Sequence, residues 1–101
     1  MNIQLLKEIR QKIEMTTDCF YQQKNQQGYK ILISVIDDLM IIAAELKNIE
    51  ENEAVQTLKI ELAQRLQEIT EAMLQKDTIL IADMMKYDII ELLDKMEELD
   101  D

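Results

Sequence analysis

Hydrophobic residues recur along this chain at the three- and four-residue spacings of helices, in four successive stretches. In the first, about residues 2–23, Leu6, Ile9, Ile13 and Phe20 fall on one side. Thr16, Thr17 and Asp18 interrupt the run and offer one place for a helix to restart, near Thr17. The break is expected instead at Lys24–Gln27, where Asn25 can act as an N-cap and Gly28 falls in the first turn of the next helix. The second stretch, about residues 26–47, is the most apolar. Tyr29, Leu32, Ile33, Val35, Ile36, Leu39, Met40, Ile42, Ala43, Ala44 and Leu46 cover more than half of its circumference, which predicts a central helix. Its polar stripe is narrow, formed by Ser34, Asp37, Asp38, Glu45 and Asn48, with Ile41 stranded among them.

The third stretch, about residues 51–75, carries a thinner seam of Val55, Leu58, Leu62, Leu66, Ile69 and Met73, the pattern of an outer bundle helix. It opens either at Asn48, which begins a capping-box spacing with Glu51, or at Asn52. Lys76–Asp77 marks a tight turn with Asp77 as the next N-cap. The fourth stretch, about residues 78–99, turns Ala82, Met85, Ile89, Leu92, Leu93 and Met96 inward, and the tail EELDD is expected to fray. Helices of ~22 residues are each ~33 Å long, so the four match in length, and short connections force neighbours to be antiparallel. The expected fold is all-α, a single domain over residues 1–101 built as an antiparallel up-down four-helix bundle.

Composition narrows this reading further. There is no proline and only Gly28 among glycines, so strands have almost nowhere to turn, and a hydrophobic fraction of 48% excludes a disordered acidic chain. The net charge of −10 is uneven: residues 51–101 hold 14 acids and 5 bases, residues 1–50 hold 7 and 6. Such a second half repels a phosphate backbone or an anionic lipid surface, which sets nucleic acid and membrane aside as partners. The N-terminal segment MNIQLLKEIRQKIE is interrupted by charges and has no apolar run for a signal peptide or a span. With a lone Cys19 that can form no intrachain disulfide, this favours a cytoplasmic location.

Candidate chemistry is sparse. Helical bundles house metal pairs with Glu-x-x-His ligands, and this chain has no histidine, so no di-iron site and no cofactor is expected. An all-carboxylate Mg²⁺ site would have to recruit Asp37, Asp38, Glu45, Glu61, Glu68 or Asp83, most of which the helical spacing turns outward. Ser34 is the only serine, and no glycine-rich loop is present to cradle a phosphate. The feature that stands out is the outer side of the fourth helix, where Leu80, Met84, Tyr87 and Ile90 recur with Asp83 among them. A helix apolar on two sides is either packed more deeply than a simple bundle predicts, here against the first helix, or presents a partner-binding strip.

The segments FYQQKNQQGYKILISVIDDL (Phe20–Leu39) and KDTILIADMMKYDIIELLD (Lys76–Asp94) resemble a group of short, uncharacterised helical proteins of Gram-positive anaerobes and their relatives. The resemblance rests on the aromatic pair Phe20–Tyr21, on Gly28–Tyr29, on Ile36–Leu39, and on Asp77, Leu80, Ala82, Asp83, Tyr87 and Asp88. Glu91 stands where many of those relatives have proline, so a bend they carry is expected to be missing here. The resemblance implies a helical fold and a bacterial source and brings no activity with it.

The function expected from all this is a non-enzymatic interaction or adaptor module that binds a protein partner, or a second copy of itself, through Leu80, Asp83, Met84, Tyr87 and Ile90. Small acidic bundles that chaperone export substrates offer a fold-level analogy. The alternatives are a divalent-metal enzyme built on carboxylates and a structural, obligate homodimer.

Overall fold

The computed structural model describes residues 1–99 and is all-α, with no strand among the described residues. Helix α1 spans Ile3–Tyr21, α2 Asn25–Lys47 and α3 Glu53–Leu74. The fourth helix, α4, runs over residues 78–98 in three continuous pieces: α-helical Thr78–Asp83, π-helical Met84–Ile89 and α-helical Ile90–Glu98. The EELDD tail lies partly outside the described residues, and its Glu97 and Glu98 are helical.

The caps explain where the helices begin. The side chain of Asn2 accepts from Leu5 N–H at 3.0 Å, that of Asn52 from Val55 N–H at 2.9 Å, and that of Asp77 from Leu80 N–H at 3.1 Å. Each satisfies one of the amides that a helix start leaves without a partner. Asn52, rather than Asn48, therefore opens α3. At α2 the expectation fails: Asn25 is already helical, Lys24 is the N-cap residue, and no side chain caps this end. Gln23 and Lys76, each with positive φ, turn the chain after α1 and α3.

Thr16 and Thr17 do not break α1. Both are buried, and the Thr16 hydroxyl donates to the carbonyl of Gly28 at 2.6 Å, tying mid-α1 to the first turn of α2. Gly28 is needed there for space. A Cβ on this residue would lie 2.7 Å from the ring of Phe20, which is fully buried and has no room to swing away. The same ring meets Tyr29 edge-on, with centroids 5.1 Å apart.

Around the bundle the neighbours run α2, α1, α4, α3, each antiparallel to the next. Pairings descend in one helix as they ascend in the other: Asn2 N–H to Glu45 and Lys12 to Asp38 across α1 and α2, and Arg10 to Glu97 and Tyr21 to Asp83 across α1 and α4. Lys95 to Glu61 and Arg65 to Asp88 do the same across α3 and α4. The core between them is a continuous cluster that includes Leu6, Ile9, Phe20, Leu39, Leu62, Ile69, Met85 and Leu93. The helix expected to be central is α2, and this is overturned. Its closest packing is with α1, it barely approaches α3, and Ile33, Met40, Ile41 and Ala44 lie in solvent.

Two consequences can be measured. Gly28→Ala should destabilise the fold by about 1–3 kcal/mol in urea titration, although alanine is the better helix former by about 1 kcal/mol. Adding Phe20→Leu to it should cost less than the two single changes together. The buried Tyr29 hydroxyl has no hydrogen-bond partner among the described residues, so Tyr29→Phe should leave the stability read from urea titration unchanged or raise it, by up to about 1 kcal/mol.

Candidate functional site

The residues singled out on α4 are divided by its π-helical turn. In a uniform α-helix Ile81, Met85, Ile89, Leu92 and Met96 share one face, at spacings of four, four, three and four, and Met84 lies about 100° off it. A turn closed by i→i+5 bonds takes up one extra residue, setting the second half back by about 100° and bringing its core residues into line with Met84. Met84, expected on the outer face, is consequently buried at 7% exposure, and Ile90 is half-buried, in a groove against Ile13 and Thr17 of α1. Leu80 and Tyr87 remain outside at 42% and 62%.

Asp83 is exposed but engaged, accepting the Tyr21 hydroxyl at 2.5 Å. That hydrogen bond, with burial and the charge of the carboxylate, pushes the Tyr21 phenol up to about 12. Lys86, on the π-helical turn, places its ammonium 5.8 Å from the Tyr21 ring centre and 5.6 Å from that of Tyr87, within range of both ring faces. The result is a polar-aromatic patch of Tyr21, Asp83, Lys86 and Tyr87, with Leu80 beside it. Local spacing does not bring Tyr21 to the candidate patch on α4, because the link from the end of α1 to α4 spans 62 residues.

A second surface emerges on α2. Of the polar stripe, Asp37 and Asn48 face water as expected, but Ser34, Asp38 and Glu45 do not. Lys12 of α1 donates to Ser34 Oγ at 2.8 Å and to Asp38 Oδ2 at 2.7 Å, and Glu45 accepts the Asn2 N–H at 3.2 Å. With this side turned into the α1 seam, Ile33 and Met40 stand 55% and 57% exposed away from it, and Ile41, 50% exposed, stands at the outer edge of the stripe itself. Between α2 and α3 runs an apolar groove of about 240 Å³, walled by Met40, Ala43, Leu46, Leu62, Ala63 and Leu66, with Lys47 and Lys59 at one end. The other three seams each carry ion pairs or charged hydrogen bonds; among the described residues none crosses from α2 to α3.

The carboxylates considered for a metal are dispersed. Asp38 binds Lys12, Glu61 binds Lys95, Glu68 binds Arg65, Asp83 holds Tyr21, Glu45 holds a backbone amide, and Asp37 points to solvent. Among the described residues no group of three or more His, Cys, Asp or Glu is placed to hold a metal ion, and no helix is long and apolar enough to cross a membrane. Cys19 is a free thiol, half-buried.

Residues 2–99 match a family described as a domain of unknown function (DUF8042), and the chain belongs to that family. No curated protein and no solved structure matches it.

The Tyr21–Asp83 bond has a pH signature. Because the folded phenol titrates above its unfolded value of about 10, the contribution of this bond to stability is complete below pH 10 and is lost as pH rises through about 12. Asp83→Ala should return the Tyr21 absorbance transition toward 10, and the difference in denaturation midpoint between this variant and the parent should shrink across that same interval.

Proposed function

We propose that this member of the DUF8042 family is a non-enzymatic protein-interaction module whose main contact face is α2, with the Leu80–Tyr87 patch of α4 as a second surface. The observation that carries the reading is the inverted dressing of α2. Its Ser34, Asp38 and Glu45 are taken up by α1, while Ile33, Met40 and Ile41 are left in water, Met40 at the wall of an apolar groove. An exposed Ile or Met is unremarkable singly, but Ile33 and Met40 aligned two turns apart, the second bordering a groove, form the kind of surface that a partner covers. Helix-in-groove docking supplies the physical mode, with apolar anchors at three- and four-residue spacing seated between α2 and α3. Tyr87 suits a contact surface because it offers large area with a polar tip at low conformational cost.

A cytoplasmic location fits this reading, since Cys19 remains a free thiol. An export-chaperone role is one form that such a module takes, with the groove shielding an amphipathic helix of the cargo.

The test is photo-crosslinking in the source cell, with a benzophenone amino acid placed at Met40, at Tyr87 and, as a control, at exposed Gln64. Protein adducts should form from position 40, with fewer from position 87 and none from position 64. Adducts from 87 alone would move the interface to α4, and none from either would defeat the reading. Ile33→Gln should sharply reduce the adducts from position 40 while leaving helicity unchanged, because an exposed substitution of this kind shifts stability by about 0.5 kcal/mol or less.

A further inference from the structure

The exposed crest of α2 has a regular spacing. Ile33, Asp37, Met40, Ala44 and Lys47 are all exposed and follow one another at intervals of four, three, four and three residues. That is the heptad spacing of a helix–helix seam, carried on the outside of the bundle. Asp37 and Lys47 make no hydrogen bond or ion pair with any described residue, although most of the other charged groups on the helix seams are paired.

The crest is complementary to itself. Positions 37 and 47 lie equally far on either side of position 42, about 7.5 Å along the axis. If a second α2 lies antiparallel across the first with a two-fold axis at that level, Asp37 of each copy faces Lys47 of the other. Met40 then faces Ala44, so a long side chain meets a short one, and this too occurs twice. A two-fold interface doubles every such match, which is why closed dimers tolerate modest individual contacts. The chain carries a net charge of −10, so copies repel unless their approach brings opposite charges together, and this register does so at two points.

We infer that the occupant of the α2 face is a second copy of this chain, docked antiparallel through α2 with Asp37 against Lys47. The inference rests on the reading of α2 as an interaction face and specifies its partner. It also sets aside α4, with Leu80, Asp83, Met84, Tyr87 and Ile90, as the self-association surface.

Charge reversal tests it. The full chain, its Asp37→Lys and Lys47→Asp variants and the double variant would be measured by light scattering over a concentration series at low ionic strength, with circular dichroism as the check on folding. The parent should be a dimer, each single reversal should raise the dissociation constant at least tenfold, and the double reversal should recover the dimer. A parent that stays monomeric, single variants that still dimerise like the parent, or a double variant that does not recover would each overturn the inference. Adducts from Met40 at the mass of a different protein, together with a monomeric parent, would overturn the second copy while leaving the interaction reading in place. No adducts from Met40 would defeat both the second copy and α2 as the interaction face.

Discussion

The orientation of α2 about its own axis depends on Lys12. This ammonium, one-third exposed, reaches across the α1 seam to Ser34 and to an Asp38 carboxylate that is largely shielded from water. A charge-assisted pair in that position is worth more than a surface ion pair, and rotating α2 to bury Ile33 and Met40 would break it and strand a charge. The core row of Leu32, Val35, Leu39, Ile42 and Leu46 already fills the inner face. A bundle has only one inside, so apolar side chains spread over most of a helix cannot all enter it. What remains is displayed outward.

The lower end of the same seam is fixed by close packing. Gly28 lets α2 approach the Phe20 ring nearly to backbone contact, and the Thr16 hydroxyl takes up the Gly28 carbonyl. This contact and the Lys12 pair bracket the α1–α2 interface, and α4 is joined to α1 and to α3 by Arg10, Lys95 and Arg65. Those exposed pairs add little energy individually, so their main effect is on register; the cohesion comes from the apolar cluster. The α2–α3 seam lacks both devices. It has no ion pair among the described residues, and Ala43 and Ala63 line it with short side chains, so it stays open as a groove.

Much of this was legible from spacing alone. Four helices, their antiparallel order, the inward residues of α1 and α4, and the cap at Asp77 all follow from local rules, while Asn52 was one of two caps that spacing allowed for α3. Those rules act within one or two turns, where sequence neighbours are spatial neighbours. What was not legible depends on partners far along the chain. The polar stripe of α2 reads as a solvent face until Lys12, 26 residues away from Asp38, is brought against it. Met84 reads as outward while α4 is assumed to be uniformly wound, because an extra residue in one turn leaves no mark on composition. Gly28 looked like a tolerated helix start and is in fact a contact, visible only once Phe20 is placed over it. The pairing of Tyr21 with Asp83 has the same character, uniting two residues that local pattern assigns to separate elements.

These features bear on one another energetically. A domain of this size holds together by roughly 5–15 kcal/mol, and each large side chain left half in water forgoes on the order of 1 kcal/mol of burial. Ile33, Met40 and Ile41 together therefore represent a sizeable part of the margin, withheld from the fold of one chain. Selection for stability alone would replace them with polar residues at little cost, since no neighbour in the chain requires them. Their presence on a helix held so firmly by its other side is better explained by what the folded surface meets than by the folding of the monomer. Any protein that covers this face stabilises the folded state by mass action. If the covering protein is a second copy, folding and assembly draw on the same apolar surface, and the stability of the bundle rises with its own concentration.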